Sequence, residues 1–248
     1  MGEQPLRAVF FDLDDTLTVY PGGFEALLEA VYRRAQRRGA RAEDYRTFVR
    51  AFWNSTCGLW AAMHAGRITG EEVRLARLRR GLAAIGIDDL ALATEMREEW
   101  DRQVVDGTRL RDGAAELLQW LRGRVYLGLI TDGYRTIQRR KLERLGVERL
   151  FDRVQISEEE RACKPFATAF RRSLDAAGVA PGEAAMIGDN ANADVRGALG
   201  VGMRAVHLAP QGPVRTPKGA LWAGDMDEVW EILASWIEDG RSDSWELP

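Results

Sequence analysis

The distribution of apolar and polar positions divides this chain into three stretches. Leu6 to Phe11 is dominated by apolar side chains and predicts a buried strand that breaks off at Asp12. Strand character then disappears for a long way. Phe24, Leu27, Leu28, Val31 and Ala35 fall on one stripe at helical spacing, so Phe24–Arg38 is expected to be a helix closed by Gly39. A second helix is expected over about Ala42–Ala65, and a third starts at Thr69, where Glu72 three residues on makes a capping box. That helix should end near Ala84, before Gly86, and a fourth is expected over about Asp88–Val105.

Beyond this block, short apolar runs alternate with helical patterns. Strands are expected at Val125–Ile130, Phe151–Ile156, Ala184–Ile187 and Arg204–Leu208. Helices are expected at Gly113–Leu121, Arg135–Leu145, Pro165–Ala177 (proline in its first turn), Asp194–Leu199 and Met226–Ile237. Such alternation implies a parallel sheet with helices on both faces. The expected fold is therefore α/β: a Rossmann-like core from residues 1–18 and 108–248, with residues 19–107 inserted as an all-helical cap. An insertion directly after the first strand is where a lid belongs, and Pro21-Gly22-Gly23 on one side and Asp106-Gly107 on the other would serve as hinges.

Composition adds mainly exclusions. The 248 residues suit one large domain or one domain with an insertion. A net charge of −3 gives no reason to expect a nucleic acid polymer or an anionic membrane as partner. No run approaches the roughly 18 apolar residues of a membrane span, and no secretory signal pattern opens the chain. A cytoplasmic protein, monomer or homodimer, is expected. Cys57 and Cys163 have no metal-ligand spacing. The arginine pairs such as Arg33-Arg34 and Arg79-Arg80 are expected on solvated helix faces.

The candidate chemistry lies at four strand ends. Asp12 and Asp14, spaced i, i+2, point to the same side of an extended chain. They suit an ionised nucleophile beside a general acid, or a cradle for a divalent cation. The others are Thr131-Asp132-Gly133, Cys163-Lys164-Pro165, and Gly188-Asp189 followed by Asp194. Each has an ordinary alternative: a turn at Asp14-Asp15-Thr16, a helix cap at Thr131 or Asp194, a surface charge at Lys164. Together they suggest phosphoryl transfer, which needs cations and oriented donors around a centre of high negative charge. Lys164 would supply charge, Thr131 and the amides near Gly133 would supply donors, and Asp12 with Asp189 and a carbonyl would hold Mg²⁺. Asp12, with an ordinary pKa of ~3.9, would be ionised at neutral pH without an activating base. His64 and His207 are lone histidines, and His207 is expected to be packed. Trp53 and Trp60, seven apart, are expected in the core of the helical block, with stacking on a nucleobase or sugar as the alternative.

The four signatures, their order and the position of the insertion resemble the haloacid dehalogenase superfamily of Mg²⁺-dependent phosphatases. The wording Phe-Phe-Asp-Leu-Asp-Asp-Thr-Leu, with Ile-Ser-Glu-Glu at 156–159, is similar to the branch holding pyrimidine 5′-nucleotidases and N-acylneuraminate-9-phosphatases. The resemblance implies Asp12 as nucleophile and Asp14 as general acid and base, with its backbone carbonyl a metal ligand. It implies that Thr131, Asp132, Gly133 and Lys164 hold the phosphoryl group, that Asp189 is a metal ligand, and that Asp194 supports the array. The substrate would be a small phosphorylated metabolite, a nucleoside monophosphate or a sugar phosphate, hydrolysed through an aspartyl-phosphate. Dehalogenating members lack a carboxylate at the position of Asp14, which disfavours that activity here. Asp132 stands where many relatives have Asn, and Ala193 where many have Asn or Asp. A phosphomutase and a non-catalytic binding protein are the alternatives.

Overall fold

A computed structural model describes residues 5–54 and 56–238, apart from the side chains of Cys57 and Glu238. These residues form two compact units. One comprises the chain up to Val19, Leu110–Asp132 and the residues from Leu145 onward; the other comprises Tyr20–Arg109 and Gly133–Arg144.

The first unit is built on a six-stranded sheet. Its strands are β1 (Ala8–Phe11), β2 (Tyr126–Thr131), β3 (Arg153–Ile156), β4 (Ala184–Gly188), β5 (Arg204–Leu208) and β6 (Leu221–Ala223). They run in the order β3-β2-β1-β4-β5-β6, all parallel. β1 is central: Phe11 is in register with Leu129 on one side and with Ile187 on the other. The strand order reverses there, so the carboxyl end of β1 is a topological switch point, where open α/β sheets bind ligands. Every residue of β1 and β4 is buried. A parallel sheet covered on both faces demands this, and it explains why these strands appear in the sequence as continuous apolar runs with no alternation. Phe10, Ile130 and Met186 pack in one apolar layer with Phe170 and Leu174 of the helix Ala167–Ala177. Gly128 has to be glycine, because a Cβ there would lie 2.4 Å from Phe10 Cδ1.

The strands anticipated from apolar runs are present; β6 and the helix Ser157–Glu160 are additional. The helix expected from Pro165 begins at Ala167, and Pro165 precedes it on a cis peptide bond after Lys164. Among the described residues no helix is long and apolar enough to cross a membrane.

The second unit is helical: Gly23–Arg37, Tyr45–Asn54, Thr56–His64, Gly70–Ala83 and Leu90–Gly107. The capping box at Thr69 is present, with Thr69 Oγ1 accepting from the Glu72 N–H at 3.2 Å and Glu72 Oε2 accepting from the Thr69 N–H at 2.7 Å. Gly22 and Gly23 have φ of +80° and +72° where the first of these helices begins. The turn itself thus accounts for both glycines. Tyr134 and Ile137 join the apolar core that Leu28, Phe48, Phe52, Leu82 and Met96 form. That burial draws residues 133–144 into the helical unit, a segment whose pattern alone reads as part of the α/β alternation. Trp60 packs against this core, whereas Trp53 is 44% exposed, against the expectation of two core tryptophans.

Candidate active site

Asp12 follows directly on β1. Its backbone N–H donates to Ile187 O at 3.0 Å, which extends the ladder by one residue and fixes where the side chain emerges. The chain then turns sharply: Asp14 is extended (φ −76°, ψ 131°) and Asp15 left-handed (φ 60°). Aspartate is one of the few non-glycine residues that tolerate this region. Three bonds hold the turn. Thr18 Oγ1 donates to Leu13 O at 2.9 Å, and Arg111 donates from Nε to Thr16 O at 2.8 Å and from Nη2 to Asp15 O at 2.5 Å.

The other strand ends of this unit deliver their groups to the same edge of the sheet. Thr131, buried, closes β2, and Asp132 Oδ1 accepts from the Lys164 backbone N–H at 3.2 Å. The Lys164 side chain is buried, and its Nζ is ion-paired with Asp12 Oδ1 and, at 2.6 Å, with Asp194 Oδ1. Asp189 follows β4. The Thr16 hydroxyl donates to Asp189 Oδ1 at 3.1 Å and accepts from the Asp189 N–H at 2.9 Å, tying the two loops together. Asp194 is held in turn: its Oδ2 accepts from the Asn190 N–H at 2.9 Å, while Asn190 Oδ1 accepts from the N–H groups of Asn192 and Ala193. A Cβ at Gly188 would lie 2.3 Å from Asp194 Oδ2, so glycine is what lets this carboxylate approach β4.

The electrostatics are lopsided. Four carboxylates, those of Asp12, Asp132, Asp189 and Asp194, surround one ammonium. Burial raises the Asp12 carboxyl well above its ordinary range, and the charges of Asp194 and Asp189 push the same way against the pull of Lys164. Burial likewise raises Asp132 to about 6 and Asp189 to about 6, the latter helped by Asp194 and Asp15. Burial alone would lower the Lys164 ammonium, but Asp12, Asp194 and Asp132 together drive it upward, so it stays charged. Burial thus works against the ionised form of Asp12, and the Lys164 ammonium works for it.

This surplus of negative charge tests the site for a metal. Oxygens of Asp12, Asp189 and Asp194 lie within 4.8 Å of one another. The donors are hard carboxylate oxygens, the type Mg²⁺ prefers. Both Asp194 oxygens are already engaged, by Lys164 and by Asn190. That leaves Asp12 and Asp189 as the carboxylates to offer an ion, with Asp194 held against Lys164 and the Asn190 N–H.

Of the residues picked out in the sequence, Asp12, Asp132, Lys164, Asp189 and Asp194 are linked in one network. Thr131 stands at the same edge of the sheet, and Asp14 in the turn after Asp12. Gly133 is grouped with the helical unit, where a Cβ would meet Gln138 Cδ at 2.8 Å. Sequence reasoning assigned no role to Thr16, Arg111, Asn190 or His207. His207 is packed, as expected, but it also holds the loop that carries Asp189: Nε2 donates to Asp189 O at 3.0 Å while Nδ1 accepts from the Thr216 hydroxyl at 2.8 Å. Thr16 lies inside the conspicuous Asp12–Leu17 run and could have been singled out. Arg111 and His207 act across the fold, with no local signal.

Fold and site together define a class of protein: the chain belongs to the haloacid dehalogenase-like hydrolases, whose family model matches residues 6–202. It is an enzyme of that family. Among curated proteins it is similar to N-acylneuraminate-9-phosphatase of Mus musculus, 30% identical over 210 residues and 83% of each chain. It is also similar to phosphoserine phosphatase of Thermus thermophilus, 32% identical over 246 residues, 91% of this chain and 98% of the other. Among solved structures, the HAD-hydrolase YfnB of Bacillus subtilis shares the fold, with a TM-score of 0.72 at 23% identity over 93% of this chain and 100% of the other.

Proposed function

We propose that the protein is a Mg²⁺-dependent phosphatase that hydrolyses a small phosphomonoester through an aspartyl-phosphate on Asp12. The observation that carries this reading is the Lys164 ammonium bridging Asp12 and Asp194 in a buried cluster rich in carboxylates. Curated relatives named as phosphatases support it.

In this reading an Asp12 carboxylate oxygen attacks phosphorus and the bond to the ester oxygen breaks. Asp14, as general acid, protonates the leaving alcohol. Water then attacks phosphorus, Asp14 takes its proton, and the Asp12–phosphorus bond breaks to release inorganic phosphate. Lys164 neutralises charge on the phosphoryl oxygens, and Thr131 with the amides of Asp132 and Gly133 donates hydrogen bonds to them. Asp12, Asp189 and the Asp14 carbonyl would hold Mg²⁺, which when bound offsets the carboxylates and the charge on the phosphoryl group. Residues 19–107 act as a cap that excludes water and contributes substrate contacts.

Phosphate release from a panel of phosphomonoesters tests the reading. Mg²⁺-dependent release is expected. Isomerisation of a sugar phosphate with little net release would point to a mutase, and no reaction of either kind would remove the proposal.

A further inference from the structure

The turn that carries Asp14 is held from outside itself. It runs from Leu13 to Leu17, and within it Asp14 is extended while Asp15 is left-handed, at φ 60° and ψ −1°. A chain that changes from extended to left-handed in one step belongs to no regular element, so its carbonyls need partners other than a ladder.

Arg111, 95 residues beyond Thr16, supplies them. Its Nε donates to Thr16 O at 2.8 Å and its Nη2 to Asp15 O at 2.5 Å, while its backbone N–H donates to Leu17 O at 2.9 Å. Three consecutive carbonyls of the turn thus end on one residue. All of these groups belong to the α/β unit. The side chain suits the task. A planar guanidinium that bonds two oxygens at once restrains both their positions and their directions, which a point charge does not.

The residues on either side of Asp14 have anchors of their own. Asp12 is fixed by its N–H on Ile187 O and by its ion pair with Lys164. The Thr16 hydroxyl is bonded twice to Asp189. Neither anchor sets the peptide planes whose carbonyls Arg111 holds. The peptide between Asp14 and Asp15 is itself rigid and joins directly onto those planes. The backbone that aims the Asp14 side chain is therefore braced by Arg111, whereas Asp12 is braced by β1 and Lys164.

This difference matters for the chemistry. A general acid has to lie within hydrogen-bond reach of the atom it protonates, and it contributes typically ~10²–10⁴-fold to the rate. Resting on the phosphatase reading above, we propose that Arg111 is a positioning residue for the general acid: by holding the carbonyls of Asp15, Thr16 and Leu17, it keeps the Asp14 carboxyl where it can protonate the leaving oxygen. Arg111 acts through the turn and not on the reacting atoms. Its loss leaves the nucleophile in place and withdraws the proton from the leaving group.

The test compares two esters of similar shape whose leaving groups differ in their need for that proton, p-nitrophenyl phosphate and phenyl phosphate. The nitrophenolate departs unaided; the more basic phenolate departs faster when protonated. kcat/KM reports the step in which Asp12 attacks and this group leaves. In Arg111→Gln the loss of kcat/KM should be about tenfold greater for phenyl phosphate than for p-nitrophenyl phosphate. Arg111→Lys keeps the charge but cannot fork two carbonyls, so its loss should fall between those of Arg111→Gln and wild type. Equal losses on the two esters in folded variants, or no loss on either, overturn this inference alone, because a merely structural role would lower both together. Failure of both variants to fold would make Arg111 a structural residue and overturn it as well. Failure of the wild type to release phosphate from either ester overturns the phosphatase reading with it.

Discussion

The two units bury opposite charge. In the α/β unit the carboxylates of Asp12, Asp132, Asp189 and Asp194 outnumber their one buried ammonium, Lys164, and burial raises three of them. In the helical unit the buried arginines Arg74 and Arg77 outnumber Asp101. An isolated fold gains nothing from either imbalance, since an uncompensated buried charge costs several kcal/mol. The first imbalance suits a cation, for which oxygens of Asp12, Asp189 and Asp194 lie within 4.8 Å of one another.

The largest expected effect breaks the α/β half of this comparison. Asp12→Asn removes the carboxylate proposed as nucleophile, and one negative charge of the cluster, while keeping the shape. Because enzymatic phosphate monoester hydrolysis exceeds the uncatalysed rate by up to ~10²¹-fold, phosphate release should fall by several decades; activity within tenfold of wild type would contradict Asp12 as nucleophile. Next comes the cation. Chelation should abolish turnover, and Asp189→Ala should raise the Mg²⁺ concentration needed for half-maximal rate. An unchanged Mg²⁺ titration would contradict the role given to Asp189.

A smaller effect sharpens the geometry of the cluster. Gly188→Ala drives a Cβ into Asp194. Overpacking of this kind costs about 1–3 kcal/mol, so a lowered Tm together with weaker activity is expected. A variant equal to wild type in both would mean that Asp194 can move without consequence. Smallest is the cap of the Gly70–Ala83 helix, which carries Arg74 and Arg77. Thr69→Ala should cost ~1 kcal/mol of stability. The Glu72 carboxyl in the same box is held below its ordinary 4.5 by hydrogen bonds from the Thr69 backbone and hydroxyl. With a depressed folded pKa, its contribution is present above 4.5 and is lost as pH falls through that range. Thermal melts should therefore show the gap between wild type and Thr69→Ala narrowing below about pH 4.5. A gap that widens on acidification would contradict the sign.

The parts of this molecule legible in sequence are those set by local pattern. Apolar runs such as Leu127–Ile130 and Ala184–Ile187 announce a sheet buried on both faces, and Thr69 with Glu72 announces a helix start. The catalytic candidates were legible because each stands at a strand end, where a short apolar run stops at a polar residue. Interactions across long sequence separations were not. Arg111 reaches back to Asp15 and Thr16, and His207 to the carbonyl of Asp189, with nothing in their neighbours to mark them. Residues 133–144 carry an ordinary amphipathic pattern, and only the burial of Tyr134 and Ile137 among inserted helices shows which core they serve. Burial, too, has no signature in the run around Asp12, although it is the largest influence on that carboxyl and raises it.

The most direct test of the central claim is to look for the covalent intermediate. Acid quenching during turnover of p-nitrophenyl phosphate with Mg²⁺, followed by peptide mass spectrometry, should find one phosphoryl group on Asp12 and none in the Asp12→Asn variant. Phosphate release with the phosphoryl group on another residue would contradict it.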